Sequence, residues 1–301
     1  MKLINNTGKI ILVLLLLTLN NLSFGQVKSD SNGKNESQFF DETVVITTPM
    51  GSVKLKLYKD TPLHSENFIK LAKQGFFDST LFHRVIEGFM IQGGDPDSKG
   101  AKPGVELGNG GPGYDLPAEI LPNHMHRRGV LAAARESDDV NPERKSSGSQ
   151  FYIVQGKKFT EEGLVEVEKK QYSMTKQRIF VNIMNRPENL ALRNEFLGAD
   201  QKADSVRFKF LLDTLNGMMD KEYALQKPFA ISPEKREVYK TVGGAPHLDG
   251  SYTIFGEVIE GMEVVDKIAA VKRDENDRPL EDIPMTITVL DKKGKPVKKP
   301  K

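Results

Sequence analysis

The 301-residue chain contains no cysteine. That excludes a disulfide framework, a thiolate nucleophile and a cysteine-ligated metal. It also excludes lipid attachment to a processed N-terminal cysteine. No apolar run approaches the roughly 20 residues that a membrane-spanning helix needs. Charge of neither sign dominates, with 43 basic residues against 41 acidic. A general binder of nucleic acid or anionic membrane needs a basic surplus on some face, so neither partner is expected. The glycine-rich stretch 108–113 lacks the Gly-Lys-Ser/Thr of a phosphate loop.

The N-terminus carries a different signal. Lys2 and Lys9 precede an unbroken apolar run over residues 10–17, and Ser23-Phe24-Gly25 follows. This pattern predicts a signal peptide over 1–25, cut before Gln26, and an exported, periplasmic protein that is not a lipoprotein. An uncleaved anchor is the alternative. Cleavage removes Lys2 and Lys9 and no acid, which leaves 41 basic residues against 41 acidic. Residues 26–40 read as a flexible linker, poor in apolar side chains. Residues 293–301 read as a basic, solvated tail.

Alternating residues Val53-Lys54-Leu55-Lys56-Leu57 predict a strand. With Val44-Val45-Ile46 before the Pro49-Met50-Gly51 turn they make a β-hairpin. A helix is expected after Thr61-Pro62, with Phe68, Leu71 and Ala72 on one face and a stop at Gly75. Short apolar strands are expected near 82–91, 129–134, 150–154, 252–258 and 285–290. Residues 93–116 read as loop, and Met262, Val265 and Ile268 mark a short helix. This pattern predicts a mainly β fold, a closed antiparallel barrel. Between 156 and 243 the chain turns highly charged with helical spacing at 164–178, 190–197 and 208–219. Ser232-Pro233-Glu234 reads as a further helix start. We read 41–155 and 244–292 as the barrel domain and 156–243 as a helical insertion whose ends lie close together.

The richest stretch is Phe82-His83-Arg84-Val85-Ile86-Glu87-Gly88-Phe89-Met90-Ile91-Gln92-Gly93-Gly94-Asp95. It combines a permanent cation, an amide and large apolar side chains, without a nucleophile and its base. Such a set suits gripping a peptide and lowering a barrier by solvation and polarisation. Three ordered pieces then resemble the cyclophilin family of peptidyl-prolyl isomerases. They are this stretch, Ser147-Gly148-Ser149-Gln150-Phe151-Tyr152-Ile153, and His247-Leu248-Asp249-Gly250-Ser251-Tyr252-Thr253-Ile254-Phe255-Gly256.

The resemblance implies an eight-stranded barrel with two capping helices and isomerisation of X–Pro bonds without a cofactor or metal. It implies Arg84 as the catalytic donor. Phe89, Met90, Tyr152 and Leu248 would floor the proline pocket, and Gln92 would hold substrate backbone. Ala134, Arg135 and Gln150 would flank the neighbouring residue of the peptide. Three substrate-binding positions depart from the family's commonest residues: His247 in the pocket wall where many members carry tryptophan, Arg135 for a common asparagine, and Tyr252 in the pocket wall for a common histidine. Arg135 is expected to add a contact to substrate backbone or an acidic side chain.

His124 and His126 form His-x-His beside two arginines and read as structural, since a structural metal site needs four ligands. His83 reads as a hydrogen-bonded core histidine. The expected partners are unfolded or flexible proline-containing polypeptides of exported proteins, with no stable membrane insertion after signal cleavage. The insertion is a candidate surface for a protein partner. The competing reading is a chaperone or scaffold that captures proline segments with little catalysis.

Overall fold

Residues 43–201 and 205–298 are described by a computed structural model of the chain. The expected signal peptide, the linker and the last residues of the basic tail lie outside the described residues. Strands β1 (Thr43–Thr48) and β2 (Gly51–Leu57) form the predicted hairpin. Val53, Leu55 and Leu57 point inward, and Lys54 and Lys56 point away, as a period of two requires. Helix α1 (Pro62–Lys73) begins on Pro62, buries Phe68, Leu71 and Ala72, and ends with Lys70 and Lys73 in its last turn. Those cations suit the negative end of the helix.

Next come β3 (Thr80–Ile86) and β4 (Met90–Gly93). They turn at Gly88, whose φ of 76° is cheap only for glycine. The stretch read as loop contains one short strand, β5 (Asp115–Leu116). Strands β6 (Val130–Ala133), β7 (Ser146–Ser147) and β8 (Phe151–Val154) follow. Then come four helices: α2 (Glu161–Asn185), α3 (Leu190–Gln201), α4 (Ser205–Ala224) and α5 (Pro233–Thr241). Strand β9 (Ile254–Glu260), helix α6 (Met262–Ala269) and strand β10 (Pro284–Leu290) complete the described elements.

Eight strands close a barrel in the order β1-β10-β3-β4-β8-β6-β9-β2, and β2 pairs back onto β1. Every pairing is antiparallel. The two-residue strands β5 and β7 pair separately. Helices α1 and α6 cap the barrel. Phe68 and Ile69 of α1, and Val265 and Ile268 of α6, join one core with Phe77, Phe82, Phe151 and Phe255. Phe68 meets Phe151 edge-on at 5.3 Å between ring centroids, and Phe77 meets Phe151 at 5.9 Å. Each such ring stabilises the fold by about 1.5–3 kcal/mol through burial.

The helical segment has smaller cores of its own. Ile179 and Ile183 of α2 pack with Leu215 and Met219 of α4. Leu164 packs with Ile231 and with Tyr239 of α5. Helix α2 outruns the predicted 164–178 at both ends. Thr160 accepts a hydrogen bond from the Gly163 N–H at its start, and Ile179 and Ile183 keep its buried face going. Helix α5 starts as read, with the Ser232 side chain accepting from the Lys235 N–H and Pro233 in the first position. The segment leaves and rejoins the barrel at one place, where the Gly244 N–H donates to the Lys157 carbonyl at 3.0 Å. A Cβ on Gly156 would lie 2.5 Å from the Gly244 Cα, so this crossing needs glycine.

Candidate active site

A cavity of about 430 Å³ opens on the outside of the barrel. Nine of the predicted residues line it: Arg84, Phe89, Met90, Gln92, Ala134, Arg135, Tyr152, Leu248 and Tyr252. The register explains their meeting. Arg84 on β3 lies opposite Gln92 on β4, and Gln92 lies opposite Tyr152 on β8, so alternate residues of three strands share one face. Tyr152 in turn lies opposite Ala132 on β6. Two predicted residues do not line the cavity. Gln150 stands behind Gln92. His247 is exposed, with its ring 5.3 Å from that of Phe89.

Arg84 is held by its neighbours without being buried; its side chain is 42% exposed. Its Nη1 donates to Gln92 Oε1 at 3.4 Å, and its Nε faces Asp277 Oδ2 at 3.8 Å. Gln92 Nε2 donates to Gln150 Oε1 at 3.1 Å. Gln150 Nε2 donates to the carbonyls of Gly108 and Gly110, both at 2.8 Å. Carbonyls only accept, so the Gln150 amide nitrogen must face them. Its oxygen then faces Gln92, whose own oxygen faces Arg84. The loop backbone thus fixes the direction of every bond up to the guanidinium.

The opposite wall is apolar and aromatic. Tyr152 is buried, and its ring meets that of Tyr252 edge-on at 5.8 Å. The Tyr152 hydroxyl lies 2.9 Å from Nε2 of the fully buried His126. His126 Nδ1 lies 3.2 Å from Asp249 Oδ1, and its backbone N–H donates to the same oxygen at 2.8 Å. Burial pushes the Tyr152 hydroxyl well above its usual value and pushes the His126 imidazole down. Burial alone would raise the Asp249 carboxyl, but the His126 hydrogen bonds and the Lys235 charge outweigh it and hold the group low.

Arg135 lines the cavity with its guanidinium held by groups of this chain. Its side chain is 5% exposed, and Nε donates to the Ser251 carbonyl, Nη1 to the Glu136 carbonyl and Nη2 to Asp138 Oδ1. The guanidinium also lies 4.6 Å from the Tyr252 ring centroid. It therefore braces the pocket wall. His83 differs from expectation. It is buried against the cavity, yet neither ring nitrogen has a hydrogen-bond partner in good geometry among the described residues. Burial lowers its pKa to about 4, so it stays neutral at pH 7. His124 has structural partners, with Nδ1 facing the Ile254 carbonyl and Nε2 facing Asp60.

The sequence reading missed three participants. Asp277 sits in a loop without a motif. Asp249 lies inside the third motif, but nothing in its spacing announced a partner. His126 reads in the sequence as structural, with nothing to mark a place behind the pocket wall. Helix α2 also reaches this region: Gln171 Nε2 donates to the His247 carbonyl, and Arg178 Nη1 donates to Asp138 Oδ2.

Comparison with known proteins identifies the family. A family model described as cyclophilin type peptidyl-prolyl cis-trans isomerase/CLD matches residues 43–176 and 227–289. A relative from Staphylococcus aureus (strain USA300), named a "Putative peptidyl-prolyl cis-trans isomerase", is 30% identical over 241 residues. That match covers 80% of this chain and 87% of the relative. A peptidyl-prolyl cis-trans isomerase of Synechococcus elongatus is 40% identical over 110 residues, 36% of this chain and 66% of that protein. A crystal structure of a Cryptosporidium parvum cyclophilin type isomerase is similar at a TM-score of 0.46 and 22% identity, covering 82% of this chain and 96% of that one. By the family match and the Staphylococcus relative, this chain belongs to the cyclophilin-type peptidyl-prolyl cis-trans isomerases.

Proposed function

We propose that this isomerase acts on X–Pro bonds of exported proteins and assists their folding, with Arg84 as the group that lowers the barrier. Rotation about a peptide bond must cross roughly 18–20 kcal/mol because twisting destroys amide resonance. Uncatalysed X–Pro exchange therefore takes tens to hundreds of seconds. In the twisted state the prolyl nitrogen becomes pyramidal and holds a localised lone pair. A donor aimed at that nitrogen binds the twisted state better than the planar one. A charge-assisted hydrogen bond contributes about 1.5–3 kcal/mol. Made only in the twisted state, it accounts for on the order of ten- to a hundredfold in rate.

One observation carries the reading. Arg84 is held at the rim by the Gln92–Gln150 relay, and the apolar floor of Phe89, Met90, Tyr152 and Leu248 lines the same cavity. A proline ring on that floor brings its nitrogen to a preorganised cation. We read residues 41–155 and 244–292 as the catalytic domain and 156–243 as an insertion, which the Gly156–Gly244 approach supports. Export rests on Lys2, Lys9 and the apolar run 10–17. The test is cis/trans exchange of a short Ala-Pro peptide, followed by NMR with the full chain. Acceleration is expected; an unchanged exchange rate overturns the enzymatic role.

A second role, holding unfolded clients on the helical segment, draws support from exposed apolar side chains there. Val206 is 81% exposed and Phe210 58%. Under that role, Val206→Ser with Phe210→Ser weakens suppression of client aggregation and leaves peptide exchange intact. Unchanged suppression removes it.

A further inference from the structure

Tyr152 poses a chemical problem. A phenol in the floor of a proline pocket offers a polar hydroxyl where an apolar surface is wanted, and a buried hydroxyl needs a partner. The surroundings answer both needs. Asp249 Oδ1 accepts from the His126 backbone N–H at 2.8 Å and from the Tyr239 hydroxyl at 2.8 Å, and Oδ2 accepts from Lys235 Nζ at 3.0 Å. A carboxylate only accepts. His126 Nδ1, 3.2 Å from Oδ1, must therefore be the protonated nitrogen. A neutral imidazole carries one proton, so Nε2 is bare. The Tyr152 hydroxyl at 2.9 Å must then donate to it. Every proton in the chain of bonds is assigned by the one group that cannot donate.

We propose that His126 is a positioning residue for the pocket: with its tautomer set by Asp249, it draws the Tyr152 hydroxyl away from the substrate so that tyrosine presents only its ring. Tyr239 and Lys235 belong to α5, so the last helix of the segment between β8 and β9 holds the anchor of this relay. Tyr239 is fully buried, with its ring packed beside Leu164 and Ile231. The pocket floor is thereby coupled to the seating of α5 on the barrel. The proposal takes the cavity to be the proline site, and so rests on the function proposed above.

The predicted effect lies on substrate binding more than on the chemical step. Losing the acceptor frees the hydroxyl to turn into the pocket or leaves it buried without a partner. Either outcome weakens the fit of a proline ring by about tenfold. Turnover of the bound peptide depends on Arg84 and changes less than twofold.

The test has two arms on the full chain. The first is a long-range proton–nitrogen NMR spectrum of the histidines near pH 7, with His126→Phe used to assign the His126 signals. The expected spectrum has the proton on Nδ1 and a bare Nε2. A proton on Nε2 overturns the proposal. The second arm titrates an Ala-Pro peptide and measures its bound-state exchange in the parent, His126→Phe and Tyr239→Phe chains. The expected Kd rises about tenfold in His126→Phe and about threefold in the milder Tyr239→Phe, which loses a single hydroxyl. Bound-state exchange stays within twofold of the parent. If His126→Phe fails to fold, Tyr239→Phe decides the matter. An unchanged Kd in a folded Tyr239→Phe chain overturns the coupling to α5. A parent chain that binds the peptide without accelerating exchange removes the enzymatic role but leaves both arms readable.

Discussion

The two walls of the cavity are ordered by the same logic from different anchors. On the Arg84 wall, backbone carbonyls of Gly108 and Gly110 orient Gln150, which orients Gln92, which faces the guanidinium. On the Tyr152 wall, the Asp249 carboxylate orients His126, which takes the tyrosine hydroxyl. Each relay starts at a group that can only accept hydrogen bonds. The first lies wholly between barrel strands and their loops, and it ends on a half-exposed cation. The second is buried, ends on an apolar ring, and has its anchor held from α5 by Tyr239 and Lys235. The Arg84 relay is thus built without the helical segment, while the Tyr152 relay is anchored on it.

The largest effect is expected where both walls share a foundation. Phe151 precedes Tyr152 on β8 and packs against Phe68, Phe77 and Phe82. Phe151→Ala should lower stability by about 3–5 kcal/mol in denaturant unfolding. A loss below about 1 kcal/mol would mean that the walls do not rest on this core.

Acid should act on both sides of the cavity. His83 has a folded pKa of about 4, lowered by burial, and the buried His126 is lowered in the same direction. The unfolded chain binds these protons below about pH 6.5, and the folded chain refuses them until lower pH. Stability is therefore fully present above about pH 6.5 and is lost as the pH falls toward 4. His83 alone contributes a loss on the order of 3 kcal/mol. Unfolding midpoints that stay flat between pH 6.5 and 4.5 would contradict this.

Smaller changes separate the walls. Gln150→Ala removes the link between the loop carbonyls and Gln92. Catalysed exchange should fall about fivefold, with peptide Kd within twofold of the parent, the reverse of the split expected on the Tyr152 wall. Equal losses in rate and affinity would blur the distinction. The smallest effect belongs to Arg178→Ala on α2. Asp138 keeps Arg135 and Arg144 as partners, so stability should change by less than about 1 kcal/mol and exchange should be unaffected.

Much of this architecture was legible in the chain. The alternation Val53-Lys54-Leu55-Lys56-Leu57 fixes which face of β2 is buried, and Ser232-Pro233-Glu234 marks the start of α5. Three ordered motifs named the residues that meet in the cavity. The short β5–β7 pairing was hidden because two-residue strands carry no period. The bonds of Arg135 to Ser251, Glu136 and Asp138 were not legible, because they depend on loop geometry. His83 reads as hydrogen-bonded, and its burial leaves its ring nitrogens no well-formed partner among the described residues. The His126–Asp249 link joins residues far apart in sequence across the helical segment, and its meaning appears only once donors and acceptors face each other.

On the proposed mechanism a single oriented cation lowers the rotational barrier. Arg84→Ala tests it most directly, by NMR exchange of an Ala-Pro peptide at saturating peptide, with folding checked by denaturant unfolding. A folded chain whose catalysed exchange falls on the order of ten- to a hundredfold is expected. A folded Arg84→Ala chain that keeps the full rate would contradict it.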